Sequence, residues 1–206
     1  MTRTVTDYAS AVASGEPTPG GGSVIATVAA FAAGLAEMVC HLTLARPSEP
    51  AIAASLTGAQ RSAAALRARF LDLADEDERA YGAYRHAASL PKTSAEERDA
   101  RREAIQSALE RSAGVPLTVA SSCVELLIVV ESVARHGTRH ARADIETSLS
   151  LTDAALKSAL AMVRANTELM RDGDVAERLD RKADGLRVRG DRALSAALQA
   201  LDGAAA

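Results

Sequence analysis

The chain has 206 residues, with 24 Lys and Arg against 27 Asp and Glu for a formal net charge of −3, no tryptophan and 2% aromatic residues. That length suits one domain with a substantial core, or one that completes its core by oligomerising. Interspersed charge without a basic patch excludes a nucleic-acid surface, and the shortage of aromatic and β-branched residues outside segments of helical period excludes a protein built on strands.

Alanine, leucine and arginine dominate. The core is therefore expected to consist of Ala, Leu and Val, with helices approaching closely on small-residue faces. Val5 to Ser14 reads as a short amphipathic helix, with Val5, Tyr8, Ala9 and Val12 on one face. It ends at Gly15 and the prolines of Pro17-Thr18-Pro19-Gly20-Gly21-Gly22-Ser23. In that stretch prolines fix the backbone, glycines permit positive φ and close approach, and Ser23 is placed to cap the next helix. A glycine-rich turn opening a helix presents unpaired N–H groups to a carboxylate or phosphate. No strand precedes it and the P-loop lysine is missing, so a nucleotide site is not expected.

The helix from Ser23 to about Ala45 is apolar nearly all round, which marks a buried helix. Its polar exceptions, Glu37 and His41, are one turn apart and form either a core contact or an acid/base couple. The run is interrupted by Glu37 and too rich in Ala and Gly to read as a membrane span. A long helix follows from about Pro50 to Leu90, carrying Asp77 within an acidic stretch that ordinarily forms a solvated face. Leu90-Pro91-Lys92 stops it. Ser94 and Glu97 form a capping box for a charged helix that ends at Gly114. Val115-Pro116 starts another, running to Gly137 with Val119, Cys123, Leu126, Leu127 and Val130 on its buried face. After the polar connector 138–143, a helix starts near Asp144 and runs to Gly173. The last segment, Asp174 to Leu201, is charged with a thin apolar stripe and belongs on the outside. Cys40 and Cys123 show no metal or redox spacing and read as small buried hydrophobes. No repeat or low-complexity linker divides the chain. The expectation is one all-α domain over residues 1–206, a bundle of long antiparallel helices with a Gly-rich loop before a buried helix. No secretory leader pattern opens it and no membrane partner is indicated, so a soluble, cytoplasmic protein is expected.

Pro19-Gly20-Gly21-Gly22-Ser23 running into an Ala/Gly-rich helix that ends Met38-Val39-Cys40-His41-Leu42-Thr43 resembles the cyclodeaminase/cyclohydrolase family. The likeness continues through Asp77 with Ala80-Tyr81, Leu90-Pro91-Lys92, Val115-Pro116-Leu117, Asp144 and Asn166. It implies an all-α dimer whose folate site lies near the glycine-rich loop and the subunit interface. The implied substrate is methenyl- or formimino-tetrahydrofolate, with no metal and no tightly bound cofactor. Where the family usually has asparagine, this chain has His41, Thr138, His140 and Met162.

Both reactions of that family pass through a tetrahedral carbon on one five-membered ring, and both need positioned proton transfer. The candidate acid/base residues are Asp144 and Asp77, with His41 and His140 as further candidates. Asp144 also reads as a helix N-cap. Pro19 to Ser23, Lys92 and Asn166 are the substrate-binding candidates. Lys92 suits an anionic substrate or is simply solvated; Asn166 suits a ring hydrogen bond or a contact between helices. Arg139 and Arg142 either add positive charge beside Asp144 or belong to a solvated loop. Two alternatives stand beside the folate reading. In one, His41 and His140 serve C–N bond chemistry on another small substrate; in the other, the chain is a non-catalytic helical dimer.

Overall fold

In a computed structural model describing residues 3–47 and 49–203, six α-helices and one 3-10 turn carry the chain, with no strand among the described residues. They are α1 (Val5–Val12), α2 (Gly21–Leu44), α3 (Pro50–Ser89), α4 (Ala95–His136), α5 (Arg142–Thr167) and α6 (Gly173–Gly203), with the 3-10 turn at Arg139–Ala141 before α5. Consecutive long helices run antiparallel. Gly22 meets Asp77 at one end of the α2–α3 pair and His41 meets Gln60 towards the other.

α4 is the central helix, in contact with all the other long helices, and α2 packs against α3, α4 and α5. Its alanines make this possible: Ala26, Ala29, Ala32 and Ala33 are fully buried and let neighbouring backbones approach closely. Ser148 of α5 donates to the Ala32 carbonyl at 2.8 Å, so α5 is bonded directly to the α2 backbone. Phe70, Leu126, Leu127 and Val130 fill the rest of the core. α6 covers α4 and α5, and Leu156 stands so close to Gly190 that a side chain there would collide with it. Burial pushes the Cys40 thiol up to about 11 and the Cys123 thiol up to about 12, as befits cysteines serving as small apolar residues.

Several boundaries differ from the sequence expectation. α4 is one helix of 42 residues and does not break at Gly114. Pro116 sits inside it without an N–H for the Ser112 carbonyl, and Asn166 Nδ2 donates to that carbonyl at 3.4 Å instead. The tertiary partner takes the place of the lost helical bond, so the proline does not end the helix. α2 starts at Gly21, which puts Ser23 in its first turn and leaves Gly20 as an N-cap with no side-chain bond. The only positive-φ residue described is Gly15, at 81°; the glycine triplet uses ordinary backbone. α1 buries Tyr8 alone, with Val5 and Val12 exposed.

Among the described residues two helices are long and apolar enough to cross a membrane, α2 and α4, with windows of mean hydropathy 1.9 and 2.0. More than half of each window is buried inside the bundle. The outer face of α2 is nevertheless apolar. Val24, Val28, Phe31, Leu35, Met38 and Leu42 follow at alternating spacings of four and three, and Phe31 and Leu42 are 54% and 49% exposed.

Candidate active site

The N-terminus of α2 has no capping side chain of its own, and α3 supplies one. Asp77 Oδ2 accepts the Ser23 N–H at 2.9 Å, which is the bond an N-cap side chain makes to the third residue of a helix. The carboxylate reaches that position because residue 22 is glycine; a Cβ there would collide with Asp77 Oδ1 and Cγ. Asp77 is half-buried. Burial lifts its carboxyl above the ordinary carboxylate value, the Ser23 N–H pulls it back down, and Glu78 beside it pushes it up again.

Beneath the carboxylate, a network of side chains holds the start of α2. Ser23 Oγ and Tyr8 Oη lie 2.8 Å apart, Ser23 Oγ donates to Glu78 Oε1 at 3.4 Å, and Thr27 Oγ1 donates to the Ser23 carbonyl at 2.9 Å. Ser23 is wholly buried, so it belongs to the support of the loop and not to its ligand surface.

Above the carboxylate opens a cavity of about 240 Å³. Pro17, Thr18 and Gly20–Gly22 form one wall, with the Thr18–Pro19 peptide cis. Asp77, Tyr81 and Tyr84 come from successive turns of one face of α3, and Met162 and Asn166 from one face of α5. The two tyrosine rings stand 6.2 Å apart at 42°, an aromatic wall beside the carboxylate. Asn166 Nδ2 donates to the Met162 carbonyl at 2.8 Å as well as to Ser112. The N–H groups of Gly21 and Gly22 belong to the unpaired first turn of α2, at the positive end of its dipole.

The structure thus brings together Gly20, Gly21, Gly22, Asp77 and Asn166 from the residues singled out in sequence, with Ser23 behind them. Pro19 is buried within the loop, between the Thr18 and Gly20 of the cavity wall, and the remaining candidates lie elsewhere. His41 is twenty residues from Gly21 along α2, about 30 Å, and Asp144 is twenty-two from Asn166 along α5, about 33 Å. His41 and the 138–144 segment share that far end, where Thr43 Oγ1 accepts the Thr138 N–H at 3.0 Å. There His41 bonds Gln60 at 3.0 Å, and Glu37 pairs with Arg67 at 2.8 Å. Arg142 is tied to the Leu201 carbonyl at 2.7 Å and to Asp202. Lys92 is exposed in the α3–α4 turn, and Asp144 lies in the first turn of α5.

Sequence reasoning missed Tyr84, Tyr8 and Glu78. The first of these was available: positions 77, 81 and 84 repeat at helical spacing, which stacks one acid and two tyrosines on a single face of a helix. Tyr8 and Glu78 owe their roles to contacts across the bundle that no spacing reveals.

A model of the formiminotransferase-cyclodeaminase family matches residues 4–185. Methenyltetrahydrofolate cyclohydrolase of Methylorubrum extorquens is 32% identical over 183 residues, covering 89% of this chain and 88% of that protein. Formimidoyltransferase-cyclodeaminase of Mus musculus is 31% identical over 168 residues, covering 82% of this chain but 31% of that protein. The crystal structure of formiminotetrahydrofolate cyclodeaminase from Thermotoga maritima superposes with a TM-score of 0.87, at 23% identity, over 98% of this chain and 97% of that one. The helical fold, the family match along most of the chain and the end-to-end likeness to a stand-alone relative agree: this chain belongs to the formiminotransferase-cyclodeaminase family.

Proposed function

We propose that the protein is a cytoplasmic folate-dependent one-carbon enzyme that hydrolyses the methenyl bridge of methenyltetrahydrofolate. The observation that carries this reading is the likeness to a methenyltetrahydrofolate cyclohydrolase over nearly the full length of both chains. The cavity supports it chemically. Water adds to the cationic methenyl carbon, losing a proton, and the tetrahedral adduct then expels one ring nitrogen, which takes a proton. Asp77 is the carboxylate in reach of both transfers, and ionised it also steadies the amidinium cation. Its lifted pKa brings its proton affinity closer to neutral pH, where a base and an acid exchange roles efficiently. Tyr81 and Tyr84 offer a face for the pterin or benzoyl ring, the N–H groups of Gly21 and Gly22 offer donors to a carbonyl or carboxylate, and the Asn166 Oδ1 is left to accept from the ring.

The remaining candidates enter through a homodimer. The outer stripe of α2 has the alternating spacing of a two-helix seam. A two-fold axis near Phe31 pairs α2 antiparallel with its copy, and residues 21 and 41 then stand opposite each other. That arrangement carries the far end, with His41, His140 and Asp144 of the partner subunit, towards the Gly21 end of this one. Asp144 then supplies a second carboxylate to the site. Cyclodeamination of formiminotetrahydrofolate uses the same groups and is the second reading, favoured by the likeness to the mouse protein.

The test follows methenyltetrahydrofolate absorbance with purified protein against buffer, in which the ring also opens spontaneously. Acceleration that Asp77→Asn abolishes supports the assignment. A folded protein that gives no acceleration refutes it, and release of ammonia from the formimino substrate would then select the second reading.

A further inference from the structure

Two consecutive acids of α3 take hold of one serine of α2. Asp77 Oδ2 accepts the Ser23 N–H at 2.9 Å, and Glu78 Oε1 accepts the Ser23 hydroxyl at 3.4 Å. Successive residues of a helix point about 100° apart, so the second acid shares the serine from beside the cavity and not from within it. Asp77 is the one charged residue in the cavity lining, and Glu78 stands behind that lining.

The hydrogen bonds around Ser23 have a direction. Thr27 Oγ1 gives its proton to the Ser23 carbonyl at 2.9 Å, and Tyr8 Oη lies 2.8 Å from Ser23 Oγ. The arrangement that gives each remaining proton an acceptor runs from Tyr8 through Ser23 to Glu78. A chain of donors ending on a carboxylate favours its ionised form. Arg3 Nη1, 3.7 Å from the same Glu78 oxygen, favours it too. The other groups around the pair are few. Asp75 lies one turn before Glu78 on α3, while Glu76, Arg79 and Arg111 line a separate groove between α3 and α4. Tyr81 and Tyr84 share the cavity face of α3, and the later elements face the cavity with Leu109, Ser112, Met162, Asn166 and Leu169, none of them ionisable. Of these charges it is that of Glu78 that acts on Asp77, disfavouring a second negative charge beside its own.

We propose that Glu78 is a positioning residue for the hydrolysis: clasped by Ser23 and Arg3, it fixes a negative charge beside Asp77 and sets the pH range over which Asp77 takes a proton from water and returns it to the leaving nitrogen. The inference rests on the folate reading of the cavity. Glu78 meets neither the substrate nor the reacting atoms and acts through Asp77 alone.

The test compares three variants by the pH dependence of kcat/KM on methenyltetrahydrofolate and by carbon-13 NMR of the Asp77 carboxyl, whose signal is the one missing from Asp77→Asn. Glu78→Gln keeps an oxygen for the Ser23 hydroxyl and removes only the charge. The low-pH limb and the Asp77 midpoint should both move to lower pH, with folding intact, and turnover near neutral pH should fall by about two- to tenfold, far less than for Asp77→Asn. Arg3→Gln takes the counter-charge from Glu78 and should move both to higher pH, a shift that shrinks as salt is raised. Tyr8→Phe removes a hydroxyl from the network and leaves Glu78 charged, so it should lower the melting temperature with the limb in place. An Asp77 midpoint that Glu78→Gln leaves unmoved overturns the proposal whether or not the protein hydrolyses the folate, and so does a limb that follows melting temperature across the three variants. A midpoint that moves as stated in a protein giving no hydrolysis upholds the effect of Glu78 on Asp77 and assigns the failure to the folate reading.

Discussion

The Asp77 carboxylate occupies the space that any side chain at position 22 would need. One contact thereby explains both why a glycine stands in the first turn of α2 and how an acid from α3 comes to cap that turn. It makes Gly22→Ala a sharper probe than its neighbours. Gly22→Ala should destabilise the protein by about 1–3 kcal/mol and abolish activity, because the carboxylate must leave the cap to admit the methyl group. Gly21→Ala meets only the Met162 side chain, Sδ at 3.7 Å and Cε at 3.9 Å, and should fold normally. Thermal unfolding decides it: adding Asp77→Ala to Gly22→Ala should recover stability without recovering activity.

Asp77→Asn separates catalysis from folding. A carboxyl raised in the folded state favours the fold while protonated, fully below its unfolded pKa, and that contribution disappears as pH rises through the folded value. At neutral pH the ionised form therefore costs stability, and the amide removes that cost while keeping an oxygen for the Ser23 N–H. The variant should melt at or above the wild-type temperature near pH 7 yet lose about 10²–10⁴-fold in turnover. The low-pH limb of the wild-type rate profile should lie above the ordinary aspartate range and be absent from the variant's residual activity.

Asn166 and Pro116 should be energetically coupled through the Ser112 carbonyl. Asn166→Ala strips that carbonyl of its partner and should cost about 1 kcal/mol. In a Pro116→Ala background the helix supplies its own N–H to Ser112, and the same substitution should cost measurably less. A double-mutant cycle by denaturant unfolding reads the difference; full additivity would show that the 3.4 Å bond carries no energy.

The outer stripe of α2 predicts the assembly. Phe31→Glu puts a charge in the middle of the proposed seam and should convert the proposed dimer to monomer in light-scattering measurements. Activity should fall with it if the partner completes the site. Mixing decides which chain supplies Asp144: co-expressed Asp77→Asn and Asp144→Asn chains should regain about a quarter of wild-type activity, since half of the dimers are mixed and each carries one intact site. If both residues serve within one chain, the mixture stays inactive.

Much of the helical architecture was legible from composition and period, because an Ala/Leu-rich chain with few aromatic residues has little else to build with. The capping box at Ser94 and Glu97 was read correctly, since it is a local device whose two partners lie three residues apart. The break at Pro116 was misread for the complementary reason. A proline removes a bond that local sequence cannot replace, and the replacement at the Ser112 carbonyl comes from Asn166, fifty-four residues from Ser112 in the order of the chain.

The candidate site divides along the same line. By itself the sequence determined that a glycine-rich entry opens a buried helix and that the chain resembles a folate-enzyme family, and through that resemblance it offered Asp144, Asp77, His41, His140 and Asn166 as candidates. Only the tertiary structure decided which of these residues meet. It joined Gly22 to Asp77, set two tyrosines and Asn166 around them, and sent His41 and Asp144 to the far end of the same helices. Spacing along a helix fixes the face a residue occupies, but the neighbour across that face is chosen by antiparallel packing, in which residues distant in sequence are brought side by side.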